Sequence, residues 1–248
     1  MSLYRYLATS PDPIPKLVRR IRRGWHSFVL PAPKVIVVPM LWVFLALRFA
    51  YFTFLRLFVC GPIFKAYCKS YGKDVRTGIY IHWIQGKGDI IIGDNVEIRG
   101  KCDFSFAARF CDRPQLIIGS NTNIGHGSSF TVGKRIKIGN HCLIASEVIM
   151  FDSSGHPSDP AARLASLPLS PDDVRPITIG DNVWVGQRSI ITPGVTIGDN
   201  SIVSVGSVVV NDIPPNVIVA GYPARKIASL QAPDCAAAPA ALAAPTSR

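Results

Sequence analysis

Five histidines and six cysteines are the residues of this 248-residue chain best suited to proton transfer, metal binding or nucleophilic attack. A neutral imidazole takes up a proton near neutral pH, so a histidine on an irregular loop is a candidate general base. His156 is such a residue, in the segment 151–160, FDSSGHPSDP, which interrupts an otherwise regular pattern. His126, His141 and His156 are evenly spaced by 15 residues. Zinc would need three converging ligands and a water, but this spacing in a pattern of period six turns successive histidines onto different faces. The cysteines, at 60, 68, 102, 111, 142 and 235, form no C-x-x-C pair. They read as reduced thiols of a reducing compartment, most simply the cytoplasm. Cys142 could attack as a thiolate in principle, yet the sequence places no base beside it.

The elements that must hold these residues show a six-residue beat. Ile179, Val185, Ile191, Ile197, Val203 and Val209 are all β-branched aliphatics, six apart. Four positions after each comes Val183, Ser189, Val195, Ser201, Ser207 or Ile213. The beat also runs through Ile118, Ile124 and Phe130 and, after two inserted residues, through Ile138, Ile144 and Met150; IIIGDNVEIRG at 90–100 begins it. A strand alternates with period two and a helix with period 3.6, so neither alone explains six. A short strand plus a turn, repeated around one axis, does: this is the pattern of a hexapeptide β-helix. Gly, Asn and Asp beside the aliphatic position supply the turn conformations.

The net charge of +11 is confined to the first third. Residues 1–76 carry 13 Lys and Arg against Asp12 and Asp74, while 77–248 carry 14 of each sign. That third also holds the longest apolar run, VIVVPMLWVFLAL at 35–47, followed by Arg48, FAYFTFL, Arg56 and LFVCGPIF. Basic charge interleaved with apolar sequence suits an anionic membrane surface better than a duplex groove, and the neutral remainder carries no nucleic-acid-binding signature. Both flanks of the run are basic, so both are expected on the cytoplasmic side of the inner membrane. This favours a monotopic segment: a re-entrant hairpin breaking near Pro39 or Gly61-Pro62, or helices lying in the interface with Arg48 and Arg56 snorkelling. A helical subdomain packed on the main domain, or an uncleaved signal-like segment, is the blander reading.

From 155 to 227 the motifs GHP, PITIGDNVWVG, ITPGVTIGDNSIV and GSVVVNDIPPNVIVAGYPARKI follow one another. In this the chain resembles the hexapeptide-repeat acyltransferases, and is similar to galactoside, maltose and colanic-acid-type O-acetyltransferases. The resemblance implies a mainly β fold, a left-handed parallel β-helix, assembled as a homotrimer with active sites between subunits. It places His156 at the catalytic histidine, the base for an acceptor hydroxyl. Asp152, Asp159, Asp172 and Asp173 are the nearby carboxylates that could orient it, Asp152 the first choice. It implies a coenzyme A thioester as donor, acetyl-CoA, and no metal. Trp184 and Gln187 would line the channel for the pantetheine arm, with Val205 and Gly206 further along it. Val210 and Asn211 would belong to the donor site, and Arg225, with Lys226, would meet the nucleotide phosphates. Many relatives carry Thr-Lys where this chain has VND at 210–212, which removes one phosphate contact.

The expected organisation is a basic segment at 1–34, a helical membrane-associating region at 35–76, a β-helix at 77–227 with the catalytic loop at 151–178, and an Ala/Pro-rich tail at 228–248. The expected activity is O-acetylation of a sugar hydroxyl on a lipid-linked or nascent envelope or exopolysaccharide glycan, with no nucleic-acid partner. A small soluble acceptor (sugar, serine or antibiotic), a zinc lyase resembling γ-carbonic anhydrases, and a non-catalytic scaffold are the alternatives.

Overall fold

The computed structural model describes residues 3–29, 32–107 and 109–230. Most of the expected tail, 231–248, lies outside these. The chain divides into two compact units, 1–50 and 51–248.

In the first unit, α1 (Leu3–Thr9) and α2 (Pro13–Ser27) form a helical pair. The Arg19 guanidinium joins them by donating to the Leu7 and Ser10 carbonyls, both at 2.8 Å. Along α2 the side chains of Ile14, Leu17, Ile21 and Trp25 recur at helical spacing and are all exposed, while Lys16, Arg19, Arg20, Arg22 and Arg23 fill the remaining surface. A helix of this type lies stably on an interface between water and an apolar phase. Next begins α3 (Lys34–Phe54), which continues through a π-helical turn (Leu55–Cys60) into α4 (Gly61–Tyr67).

No hairpin breaks this helix, contrary to the break expected at Pro39 or Gly61-Pro62. Pro39 lies inside α3, past the first turn, where it forgoes one backbone bond to the preceding turn without ending the helix. At the other end the π-turn lets the Gly61 N–H reach back to the Arg56 carbonyl, a five-residue step that accommodates Pro62. Lys34–Tyr67 is long and apolar enough to cross a membrane, and its most apolar window has no buried residue.

The second unit is a parallel β-helix with three sheet faces. The first face stacks Cys68–Tyr71, Asp89–Ile92, Gln115–Ile118, Arg135–Ile138, Ile177–Ile179 and Thr196–Ile197. The second stacks Arg76–Thr77, Glu97–Ile98, Asn123–Ile124, Leu143–Ile144, Trp184–Val185, Ile202–Val203 and Val217–Gly221, on which Ala224–Ser229 folds back antiparallel. The third stacks Trp83–Gln85, Asp103–Phe106, Ser129–Val132, Ile149–Phe151, Ile190–Ile191 and Val208–Val209.

The six-residue beat is the core. Ile92, Ile118, Ile138, Ile179 and Ile197 are in register on the first face, Ile98, Ile124, Ile144, Val185 and Val203 on the second, and all are buried. On the third face the column is Phe104, Phe130, Met150, Ile191 and Val209. The Phe104 and Phe130 rings stack at 5.6 Å. Phe64 of α4 extends this column, its ring 5.9 Å from that of Phe104, and so covers the open end of the stack that a repeat fold must cap.

The three corners differ. The first carries a left-handed residue in each coil, Asp74, Asn95, Asn121, His141, Asn182, Asn200 and Asn216, with an amide ladder from Asn182 to Asn200 to Asn216 at 2.9 and 3.0 Å. The second has four-residue turns from 99–102 onward and carries Gly100, Gly127, Glu147, Arg188 and Gly206 in the same conformation. The third varies most in length, from the pair 133–134 through 86–88 and 192–195 to the long excursions 107–114 and 152–176.

Candidate active site

The excursion bearing His156 leaves the third corner after Phe151 and returns at Ile177. Its base is fixed by Asp152, which is fully buried. Both carboxylate oxygens accept backbone N–H groups, from Gly133 at 2.5 Å, Lys134 at 2.7 Å and Arg135 at 2.8 Å. The two inserted residues of the sequence pattern are therefore the turn that Asp152 ties down. Burial pushes the Asp152 pKa up, and the N–H donors pull the other way. At the return, the Arg175 N–H donates to the Asp152 carbonyl and the Gly194 N–H to the Arg175 carbonyl, both at 2.9 Å. Val174 and Leu169 are buried beneath the loop, and Val174 packs so closely on Gly133 that a Cβ there would lie 2.8 Å from it.

On this pinned base the His156 side chain is exposed, four residues after Asp152. None of the four candidate aspartates hydrogen-bonds it among the described residues. Asp152 serves the 133–135 turn; Asp159 caps α5 (Pro160–Leu164) by accepting the Ala162 N–H at 2.7 Å. Asp172 and Asp173 sit exposed on a 3-10 turn, Pro171–Asp173.

The expected donor residues divide between two corners. Trp184 stands on the outer side of the second face, in register with Leu143 and Ile202, and is half exposed. At the adjoining second corner the Gly206 N–H donates to the Gln187 carbonyl at 2.8 Å, which puts Gln187, Val205 and Gly206 on successive coils. Arg225 and Lys226 lie on the antiparallel strand that ends the same face, opposite Ala220 and Val219. These six form one exposed strip running along the helix axis. Val210 and Asn211 do not join it: they follow Val208–Val209, at the third corner. Their neighbour Asp212 accepts the Thr196 N–H at 2.7 Å, so in place of a phosphate-binding lysine this position holds a structural acceptor.

Two further residues of the second corner, beside this strip, are absent from the expectation. Glu147 accepts from the Arg188 Nε at 2.7 Å and from the Gln187 amide at 3.4 Å, which fixes the head of a predicted channel residue; Arg188 holds the Glu147 carboxyl below the usual range. The signal lay in the repeat column itself, where Gly127 and Gly206 flank Glu147 and Arg188, bulky side chains held at positive φ.

The three evenly spaced histidines fall on three corners. His126 is on the second, its Nδ1 accepting the Lys101 N–H at 3.2 Å; His141 is on the first; His156 is on the third. Among the described residues no three His, Cys, Asp or Glu side chains gather as metal ligands. Burial raises the Cys142 thiol to about 11, and Sγ donates to the Gly180 carbonyl at 3.1 Å, so Cys142 is a core residue.

Comparison with known proteins decides the family. The profile of a family described as "Hexapeptide repeat of succinyl-transferase" matches residues 176–210. A Saccharomyces cerevisiae protein, called an acetyltransferase by name only, is 38% identical over 142 residues, covering 56% of this chain and 70% of that one. The chain belongs to the hexapeptide-repeat acyltransferases. Galactoside O-acetyltransferase of Escherichia coli is 38% identical over 136 residues, 55% of this chain and 62% of its own length. Among solved structures, an AntD variant, an N-acyltransferase of Bacillus cereus in complex with dTDP and coenzyme A, aligns with a TM-score of 0.56 at 25% identity, covering 69% of this chain and 89% of that one. The three-faced coil is thus the left-handed β-helix of these acyltransferases, and the chain is an enzyme of acyl transfer.

Proposed function

We propose that this acyltransferase moves an acetyl group from acetyl-CoA to a sugar hydroxyl of a lipid-linked or nascent envelope glycan, acting as a homotrimer at the cytoplasmic face of the inner membrane. The observation that carries the reading is the division of the site. The donor strip and His156 occupy different corners of one rigid prism, so a site holding both takes one corner from each of two copies. A ring of three closes such a head-to-tail contact.

The chain's residues fit the donor. An exposed indole beside an open glycine corner gives an apolar track for the pantetheine arm, and the cations of Arg225 and Lys226 at its end suit the nucleotide phosphates. Acetyl-CoA supplies the acyl thioester. His156 takes the proton of the acceptor hydroxyl as the oxygen bonds to the thioester carbonyl carbon; when the C–S bond breaks, the imidazolium returns that proton to the departing sulfur. Backbone N–H groups are the natural donors to the transient oxyanion. The galactoside name of the Escherichia coli relative supports a sugar hydroxyl. The apolar helix 34–67 and the amphipathic α2 support a membrane-borne acceptor.

The test is thiol release from acetyl-CoA by detergent-purified enzyme offered a lipid-linked glycan extract or free sugars. Acceptor-dependent release with the lipid fraction supports the reading. Release only with free sugars moves the acceptor to a soluble compound, and release with neither overturns acetyl transfer to sugar.

A further inference from the structure

A second polar pocket lies away from both the His156 loop and the donor strip. It opens beside the first coil of the β-helix, encloses about 350 Å³, and is lined by Arg56 from the π-helical turn, Arg76 from the second face, Arg99 from the adjoining second corner, and Tyr80. Its charge is unbalanced. Glu97 is the pocket's one carboxylate, and its Oε2 already accepts from Arg99 at 3.1 Å. Arg56 and Arg76 have no carboxylate partner among the described residues. Three guanidinium groups against one carboxylate leave a surplus of two positive charges in the pocket. Such a concave cationic site draws an oxyanion, and guanidinium forks match a phosphate group by paired hydrogen bonds.

The surroundings say where that phosphate comes from. Arg56 is carried by the apolar helix, between exposed Phe54, Leu57 and Phe58, and the first coil exposes Tyr80, Ile81 and Trp83. Aromatic and aliphatic side chains around a cationic pocket are the arrangement that sits at the headgroup level of a bilayer. We propose that Arg56, Arg76 and Arg99 form a phosphate-binding pocket that takes the headgroup phosphate or diphosphate of a membrane lipid. The lipid source, though not the phosphate chemistry, rests on the proposed membrane association of residues 34–67. Held there, the lipid anchors the first coil at the bilayer surface.

The experiment uses full-length protein with two probes. Flotation measures binding to phosphatidylcholine vesicles with and without phosphatidylglycerol, and calorimetry in detergent measures binding of inorganic pyrophosphate. The proteins are wild type, Arg76→Gln/Arg99→Gln, Arg76→Lys as a milder change should the double variant fail to fold, and Lys73→Gln as a basic control outside the pocket. The expected result is about thirtyfold weaker binding of phosphatidylglycerol vesicles by the double variant, the share of two surface arginines, a smaller loss in Arg76→Lys, and none in Lys73→Gln. Equal binding by wild type and the pocket variants in both probes overturns the proposal. Should wild type float with no vesicle, the membrane reading fails on its own. Pyrophosphate binding that the pocket variants lose would then leave a site for soluble phosphate compounds, and no pyrophosphate binding would remove the pocket as well.

Discussion

The second and third corners of the β-helix are built on the same coils and treat them in opposite ways. At the second, turns from 99–102 upward are four residues long, and the inward positions hold Cys102, Ser128, Val148, Ser189 and Ser207, all buried. At the third, the turn lengths run from the pair 133–134 to the excursion 152–176, and one carboxylate, Asp152, ties two of those segments together. Regularity at one corner makes a straight track suited to a long extended donor. Irregularity at the other releases a loop that carries an exposed imidazole. The difference teaches that the repeat supplies position and its interruption supplies chemistry.

The sharpest way to break this comparison is to disable one corner at a time. His156→Ala should lower acetyl transfer by about a hundredfold or more, the usual size of a lost general base, with an unchanged melting temperature because the side chain is exposed. Trp184→Ala should also lower activity, mainly through a rise of roughly tenfold in the KM for acetyl-CoA, as expected when an interaction made equally in the ground and transition states is removed. Mixed oligomers of the two variants then decide where the site lies. If each site joins the third corner of one copy to the second corner of another, random trimers should recover about a quarter of the wild-type sites. No recovery in co-purified mixed trimers would place both halves within one chain.

The next effect concerns stability. Asp152→Ala leaves three backbone N–H groups beneath the loop without their acceptor, and should destabilise the second unit by about 3 kcal/mol or more. Its activity loss should be partly reversed by Asp152→Asn, which keeps one acceptor oxygen. Equal melting temperatures for wild type and Asp152→Ala would mean the loop base is held by Val174 and Leu169 alone. This is also where the sequence was least legible. The aliphatic beat foretold the β-helix, its phase and the two-residue slip after Phe130, because a period of six leaves inward positions no freedom. The beat says nothing of which acceptor captures a turn, so Asp152 read as a partner of His156 on proximity in the chain. Glu147 and Arg188 were hidden for a related reason: their pairing crosses 41 residues of sequence, and only the stacking of coils brings them together. The apolar run at 35–64 was legible in composition but not in path, since a π-turn that absorbs Pro62 has no residue signature.

A finer probe lies at the base of the second corner. There the inward position is His82 rather than a small residue; its Nδ1 accepts the Cys102 N–H at 3.2 Å, and its ring lies between Phe64 and Phe104 at 4.8 and 5.5 Å. Its buried Nε2 has no hydrogen-bond partner among the described residues. Burial pulls the pKa down to about 4 from the ordinary 6.5. Between those values the unfolded chain binds a proton that the native state refuses, so stability is full above about pH 6.5 and declines as pH falls toward 4. The linked loss approaches about 3 kcal/mol at the acid end of that window. Urea unfolding at intervals from pH 7 to 4 should show this decline in wild type. In His82→Leu the decline should flatten, with the remaining acid sensitivity left to carboxylates such as Asp89, whose pKa the Lys69 ammonium lowers. Parallel curves for the two proteins would mean that the ring reaches water through movement of Phe64, and that the aromatic column closing the β-helix is looser than its stacking distances suggest.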